Sequence, residues 1–577
     1  MLSYFDIIRD NKSKNSFRAD HLMKKIFLLL IITGFVFAQV ENVPIEHSVY
    51  TFLKEMELKK IIFGIDEDIP NLSRAKIRNF LEEIESKQNE LSATEKGLLE
   101  KFKVEFYQDQ ITDENTWKMF GESPNILTSP FDVFSNKKKY LYHYEKDGNT
   151  VFAEMIGHFN YGHRVQPTLT NSELYDIGLR FRGTIIDHLG YNLTIIKGGA
   201  SGSRNFAPTI DPRLNYNFKF QENLENISNY DFVEGYLQYY TSPTEGMDLT
   251  AQIGREKMTW GYGYNSKLVM SGDHPMMDFI KFNFEYGIIT FTSIHASTVG
   301  KFMVVETDRY TKYFAMNRLK LSFEDVADFG LGEVIVYSGR DMDIAYLNPL
   351  LFYKFAEMSL QDRDNGLFFL DVKTNFLKNI EFQGTFFLDE NLIGHLQNLS
   401  RYSNKTAYQI SGMWYEAFGL SDLSLMAEYT KIRPYVYTHD NPKNTYTSYE
   451  QLVGHKIGPN ADEIFVKAAY NLSPWVRPAL SYSYIRKGNN VVDESGTLIK
   501  NVGGDVFQPY RYDVDPVDAI FLDGNRVNST EVVLSIRVEP FRDIIFDISY
   551  NYISSDHVSE DYTDNLSYAQ LLMTLQF

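Results

Sequence analysis

Cysteine is absent from the 577-residue chain. Its absence excludes disulfide frameworks, thiol nucleophiles and thiolate metal sites together, and it suits a compartment in which stray thiols oxidise. Tryptophan is scarce, with 4 residues against 39 Tyr and 43 Phe. Past residue 38 no run of about 18 apolar residues occurs, so no transmembrane helix is expected there. Basic residues are outnumbered: 57 Lys and Arg face 76 Asp and Glu, a formal net charge of −19. Nucleic-acid binding needs a basic footprint, so that partner class is set aside. Mean hydropathy is −0.30, too polar for a helical membrane protein. It is compatible with a barrel, in which every second residue faces a polar lumen.

What is present begins with an export signal. Met23-Lys24-Lys25 precedes the apolar run Ile26 to Val36, and Val36 and Ala38 stand at −3 and −1 of a cleavage site before Gln39. A basic stretch, a short apolar run and a small residue at the cut form a Sec signal. Residues 1–38 are therefore expected to be an upstream extension plus signal peptide, with Met23 as the true start. No Cys follows the signal, so a lipoprotein anchor is excluded.

Residues 39–110 read as a helical, periplasmic module. Val49, Phe52, Leu53 and Met56 have helical spacing, as do Ile77, Phe80, Leu81 and Ile84 after Ser73. Ser92-Ala93-Thr94-Glu95 is a capping box ahead of Leu98, Leu99 and Phe102. Residues 111–577 read as a barrel, with the period falling to 2 from about residue 140. Leu179, Phe181 and Ile185 alternate with Arg180, Arg182 and Thr184. Ile380, Phe382, Phe386 and Leu388 alternate with Glu381, Gln383, Thr385 and Asp389. Val532, Leu534, Ile536 and Val538 alternate with Glu531, Ser535 and Arg537, and Phe546, Ile548, Tyr550 and Tyr552 with Asp547, Ser549 and Asn551. A charged face opposite an aromatic face suits a wet lumen and a lipid exterior. The last strand runs through Tyr568, Leu571, Met573 and Leu575 to Phe577, a terminal aromatic of the kind the barrel-assembly machinery reads. At roughly 24 residues per strand and its connections, the fold expected is a large antiparallel transmembrane β-barrel of about 18 strands in the outer membrane. Long loops are expected at 200–230, 435–460 and 488–528, rich in Asn, Asp, Gly and Pro.

Several motifs resemble the capsule assembly protein Wzi family. They are Pro44 to Lys60 with Leu72-Ser73-Arg74-Ala75-Lys76-Ile77, Gly254-Arg255 with Trp260-Gly261-Tyr262-Gly263, and Ser271-Gly272-Asp273-His274-Pro275. Tyr346-Leu347-Asn348-Pro349 with Asp364-Asn365, Tyr449 to Gly454 and Gly458-Pro459 follow in order. The resemblance covers most of the mature chain. It implies a barrel with a periplasmic helical bundle and a lectin-like, non-enzymatic role in holding capsular or other exopolysaccharide. The long loops differ from the family pattern, and loops choose the glycan.

Candidate ligand residues follow. Arg180, Arg182, Arg255, Arg309, Arg318 and Arg340 are read as inward-facing; Arg forks bind acidic sugars or pair with lumenal carboxylates. Trp260, Tyr262 and Tyr264 could stack on sugar rings or sit in an interface girdle. The glycan set expected is Arg255, Trp260, Tyr262, Tyr264, Arg309 and Arg318. The run Asp513-Val514-Asp515-Pro516-Val517-Asp518, near Asp523, offers oxygen ligands but lacks EF-hand spacing, and reads as an acidic loop. Gly198 to Ser203 matches neither a nucleophile elbow nor a Walker A loop and reads as a turn. His158 and His163 have no carboxylate pattern that would make a zinc site. Tyr346 to Pro349 reads as a strand end. No Ser/His pair shares a strand face with an orienting acid, so a hydrolase is disfavoured. No metal or cofactor is expected. The partners expected are surface polysaccharide, outer-membrane lipid and the assembly machinery; the alternative function is a porin-like or secretion-linked channel.

Overall fold

A computed structural model describes residues 39–69, 71–107, 110–121, 124–222, 228–301, 309–361, 363–389, 398 and 400–577. The proposed signal peptide lies outside the described residues. Three helices open the chain: α1 (Val49–Leu58), α2 (Arg74–Ser86) and α3 (Ala93–Phe106). The Ser73 side chain caps α2 by accepting from the Lys76 backbone N–H, and Ser92 and Glu95 close a reciprocal capping box on α3, each satisfying amides that the first helical turn leaves unpaired. Phe52, Leu53, Met56, Ile77, Leu81 and Phe102 pack together.

Among the described residues, eighteen strands make up the closed wall of a barrel. They are β1 (Asn149–Gln166), β2 (Thr170–Ile185), β3 (Leu189–Gly202), β4 (Asn229–Thr244), β5 (Met247–Glu256) and β6 (Met277–Tyr286). Next come β7 (Ile289–Val299), β8 (Thr311–Phe323), β9 (Ala327–Ser338), β10 (Asn365–Thr374), β11 (Ile380–Asp389) and β12 (Lys405–Tyr415). The last are β13 (Leu423–Ile432), β14 (Ala461–Tyr470), β15 (Val476–Asn489), β16 (Asn525–Phe541), β17 (Ile544–His557) and β18 (Tyr562–Gln576). Each pairs antiparallel with the next, and β18 returns to β1 to close the barrel. Phe577 completes the seam by exchanging backbone hydrogen bonds with Met155. Among the described residues no helix is long and apolar enough to cross a membrane; strands cross it.

Alternation decides the faces. On β11, Glu381 is 2% exposed and Phe382 49%, one facing the lumen and the other the lipid, as a period of two requires. Gly198 to Gly202 extend β3 rather than forming the expected turn. At Gly198 a side chain would meet the Tyr230 ring and Asp176 at under 3.0 Å, so the wall can pack there only around glycine. Short turns, such as those at 186–188, 245–246 and 287–288, gather at one end of the barrel, and long connections, such as 257–276, 339–364, 433–460 and 490–524, at the other. In barrels of this class the short turns are periplasmic.

The helices enter the lumen from the short-turn end; Met413 and Tyr415 on the wall join their core. From the other end, residues 257–276 and 433–460 fold inward. Trp260, Leu268, Met270, Tyr437, Tyr446 and Val453 pack against Phe314, Val334, Phe369 and Phe387 of the wall. Inward residues of β15 to β17 such as Ser481, Glu531, Ser535, Asp547 and Asn551 stay half-buried, so that side of the lumen is wetter.

Candidate functional site

The six residues expected to hold glycan occupy three different places. Trp260 is fully buried: its backbone pairs with Met270 at 3.0 and 3.1 Å, and its indole meets Phe369 edge-on at 5.9 Å. The apolar residues 258, 260, 268, 269 and 270 draw this loop into the lumen because an aromatic of this size gains more there than in water. Tyr262 lies under the Arg318 guanidinium, 5.7 Å from its ring centroid. Arg318 is also buried. It grips Asp371 of the wall through Nη2 at 2.7 Å and Nε at 3.2 Å, and on its other side it pairs with Asp68 of the helical module. Tyr264 donates its hydroxyl to Glu381 at 2.8 Å, and its backbone N–H donates to Glu428 at 2.7 Å. These four residues join loop, wall and module.

Ion pairs around them fasten the module to the wall. Lys54 of α1 donates to Glu57, Glu67 and Glu381. Those three carboxylates lie within 4.8 Å of one another, the geometry of a cation site, and the Lys54 ammonium fills it. Lys373 reaches Glu57 at 3.1 Å and Asp328 at 3.3 Å. Burial alone would raise the proton affinity of Glu57, but Lys373 and Lys54 outweigh it and hold the carboxyl below its usual range. Glu105 behaves alike: burial raises it, and Lys138, His47 and Arg74 hold it well down. In the inward loops burial outweighs what opposes it, Glu67 and Asp68 at Lys267 and the Pro275 carbonyl at His274. It presses Lys267 down to about 8, His274 to about 4 and His455 to about 3.

Arg180 and Arg182 do face inward, Arg182 bridging Glu154 and Glu41. Arg255 does not. It shares the outward face of β5 with Ile253 and makes a bidentate pair with Asp278 of β6 at 2.8 and 2.8 Å, because parity counted from the inward Gln252 turns position 255 outward. Arg340 lies past the end of β9 and grips Asp364. Arg309 sits in an exposed long-loop segment, 6.0 Å from the Phe218 ring. Tyr346 to Pro349 belong to the 339–364 connection rather than to a strand end. His158 pairs with Asp176, and its odd spacing from His163 puts the two on opposite faces. In the acidic loop Asp515 is taken by Arg511 and Asn501, and Asp523 by Lys500.

A cluster at the long-loop end was not anticipated residue by residue. Tyr402 and Tyr510 stack at 3.4 Å with 4° between planes, and Tyr512 meets Tyr510 edge-on at 5.4 Å. Tyr512 is 60% exposed and donates to Asp440 at 2.9 Å. Ser400 and Asp518 adjoin it, hydrogen-bonded at 3.0 Å. The signal in the sequence was the pair Tyr510/Tyr512 inside a loop already expected to be long. Tyr510 is buried beneath Tyr402, and the exposed Tyr512 ring beside the Ser400 hydroxyl and the Asp440 and Asp518 carboxylates offers a surface suited to a sugar ring and its hydroxyls.

A closed antiparallel barrel with strand-borne lipid faces, N-terminal helices in one mouth and infolded loops in the other defines an outer-membrane β-barrel protein. Residues 196–559 match the family model of the capsule assembly protein Wzi, and the chain belongs to that family. No curated protein sequence matches it. Among solved structures it is similar to the Escherichia coli outer-membrane protein Wzi, at 11% identity and a TM-score of 0.54, over 93% of this chain and 99% of that one. That protein is described as a carbohydrate-binding β-barrel involved in group 1 capsule assembly. Pseudomonas aeruginosa OprD aligns over 74% of this chain and 95% of its own, at 10% identity and a TM-score of 0.41.

Proposed function

We propose that this barrel binds capsular or other exopolysaccharide and helps attach or assemble it at the cell surface, without transforming it chemically. The observation that carries the reading is the Tyr402–Tyr510–Tyr512 cluster at the long-loop end, which presents the exposed Tyr512 ring. Family membership supports it, as does the description of the Escherichia coli relative as a carbohydrate-binding barrel. Glycan contact is assigned to that cluster, with Arg309 as an outlying cation for acidic sugars. Trp260, Tyr262, Tyr264 and Arg318 hold the lumen filling in place, and Arg255 pairs at the barrel's outer rim. Insertion is assigned to the barrel-assembly machinery acting on the strand that ends in Phe577.

The test is binding of the purified barrel to its host's exopolysaccharide. Saturable binding is expected, weakened about ten-fold by Tyr512→Ala, the size of one lost stacking contact of ~1.4 kcal/mol. Binding unchanged in Tyr512→Ala and Tyr402→Ala would overturn the site, and no binding would overturn the function. A channel is the second reading, favoured by the half-buried polar wall of β15 to β17. Ion conductance in planar bilayers without glycan binding would establish it.

A further inference from the structure

The outer wall of the barrel has a gap in its apolar surface, and one connection covers it. On β11 the lipid face carries Ile380, Phe382, Phe386 and Leu388, and on β6 Ile280, Phe282, Phe284 and Tyr286. On β9 the same face has only Phe329 and Leu331 before Glu333. On β8 it passes from Leu319 to Asn317, and on β7 from Phe291 to Ser293 and His295. These positions face outward, because their neighbours Ile294, Met316 and Val334 belong to the core inside the lumen. Yet Ser293, His295, Asn317 and Glu333 are all buried.

The connection between β9 and β10 buries them. Residues 341–361 fold back down the outside of the wall and include a short helix, Tyr353–Ser359. Glu333 accepts the backbone N–H groups of Tyr353 at 2.7 Å and Lys354 at 3.2 Å. Asn317 donates to the carbonyl of Leu351 at 3.2 Å. His295 pairs with the Tyr337 hydroxyl at 2.8 Å, and Tyr337, Tyr346 and Tyr353 pack over Ala315 and Ile335. At the neck, Arg340 and the Tyr346 hydroxyl both hold Asp364. The opposite side of this strap is apolar and bare: Leu350 is 86% exposed, Phe355 72%, Phe352 63% and Met358 61%.

We propose that the strap is a membrane-embedded element whose bare face meets the acyl chains of the outer leaflet. From Ser338 to Glu333 it covers five strand steps, about 16 Å of wall, against an apolar band about 25 Å tall. It starts from the long-loop end, so it lies in the outward half of the membrane. There, unpaired Glu333 and Asn317 would each cost several kcal/mol in hydrocarbon. The strap satisfies them and continues the apolar belt of β6 and β11 across β7 to β9. Side chains of this size fully open to water would be a large exposed apolar patch; against acyl chains they are solvated.

The absence of cysteine makes the test clean. Phe355→Cys, Leu331→Cys in the belt and Ser495→Cys at a loop tip are each spin-labelled in liposomes of outer-membrane lipid. Accessibility to oxygen and to a water-soluble nickel complex is then read by EPR. The label at 355 is expected to match that at 331: oxygen high, nickel several-fold below the value at 495. Nickel accessibility at 355 equal to that at 495 would put the strap in water and overturn the proposal. Protection from both reagents, with spin–spin broadening in the fully labelled sample, would show a second copy on this face and overturn it equally. Leu350→Cys repeats the measurement if Phe355→Cys does not fold.

Discussion

At Arg318 one guanidinium serves two carboxylates in a site sealed from water, Asp68 from the helical module and Asp371 from the wall. A buried pair gives modest net stability, but removing one partner strands the others. Arg318→Ala is therefore expected to cost about 3–5 kcal/mol, read as a lower temperature for the gel-mobility shift of the folded barrel. Asp68→Asn in the same background should recover part of it. Histidine gives the pH dependence. His274 and His455 are held by burial near 4 and 3, below the ordinary value of about 6.5. The unfolded loops take up protons first as pH falls, so stability is complete above about 6.5 and is lost on descending toward 4. Trypsin cleavage at Lys443 or Lys456 should speed up over that interval, and a His455→Gln variant should show a smaller change.

At the scale of a strand, one residue of register separates lipid from lumen. Leu534 faces out at 58% exposure, and Val533 faces the wetter side of the lumen. Leu534→Arg is expected to cost about 2–4 kcal/mol in urea unfolding from liposomes, and Val533→Arg much less. Equal costs would contradict the assigned faces. The closing strand is tested by Phe577→Asp, which should lower the amount of assembled barrel in the outer membrane.

The whole molecule is a barrel whose lumen is partly filled by its own chain, helices from one end and loops from the other. Deleting residues 39–107 removes the module and bares Arg318, Lys320, Lys373, Glu381 and Gln383 along the wall. Planar-bilayer conductance should rise well above that of the full chain; an unchanged conductance would mean the helices do not obstruct passage.

The elements were legible before any fold was known, since they rest on local physics. Alternation along β2, β11, β16 and β17 placed their faces, because a strand's side chains must point to opposite sides whatever else is built. Ser92 and Glu95 marked a helix start, because the amides they satisfy lie within three residues. The alternation ending at Phe577 marked a last strand, and the assembled barrel made it the seam. Parity could also have turned Arg255 outward, had Ile253 been used as the reference. How the polar and aromatic residues are used depends on contacts between distant parts of the chain. Arg318 and Asp68 are 250 positions apart, and no local period links them. Trp260 became lumen filling instead of a sugar platform because the wall opposite it carries Phe369, Val334 and Phe314. The 339–364 connection turned outside while 257–276 turned inside, because each followed the groups it could satisfy. Glu333 and Asn317 needed partners facing lipid, and the inner apolar wall took the loop rich in Trp, Leu and Met.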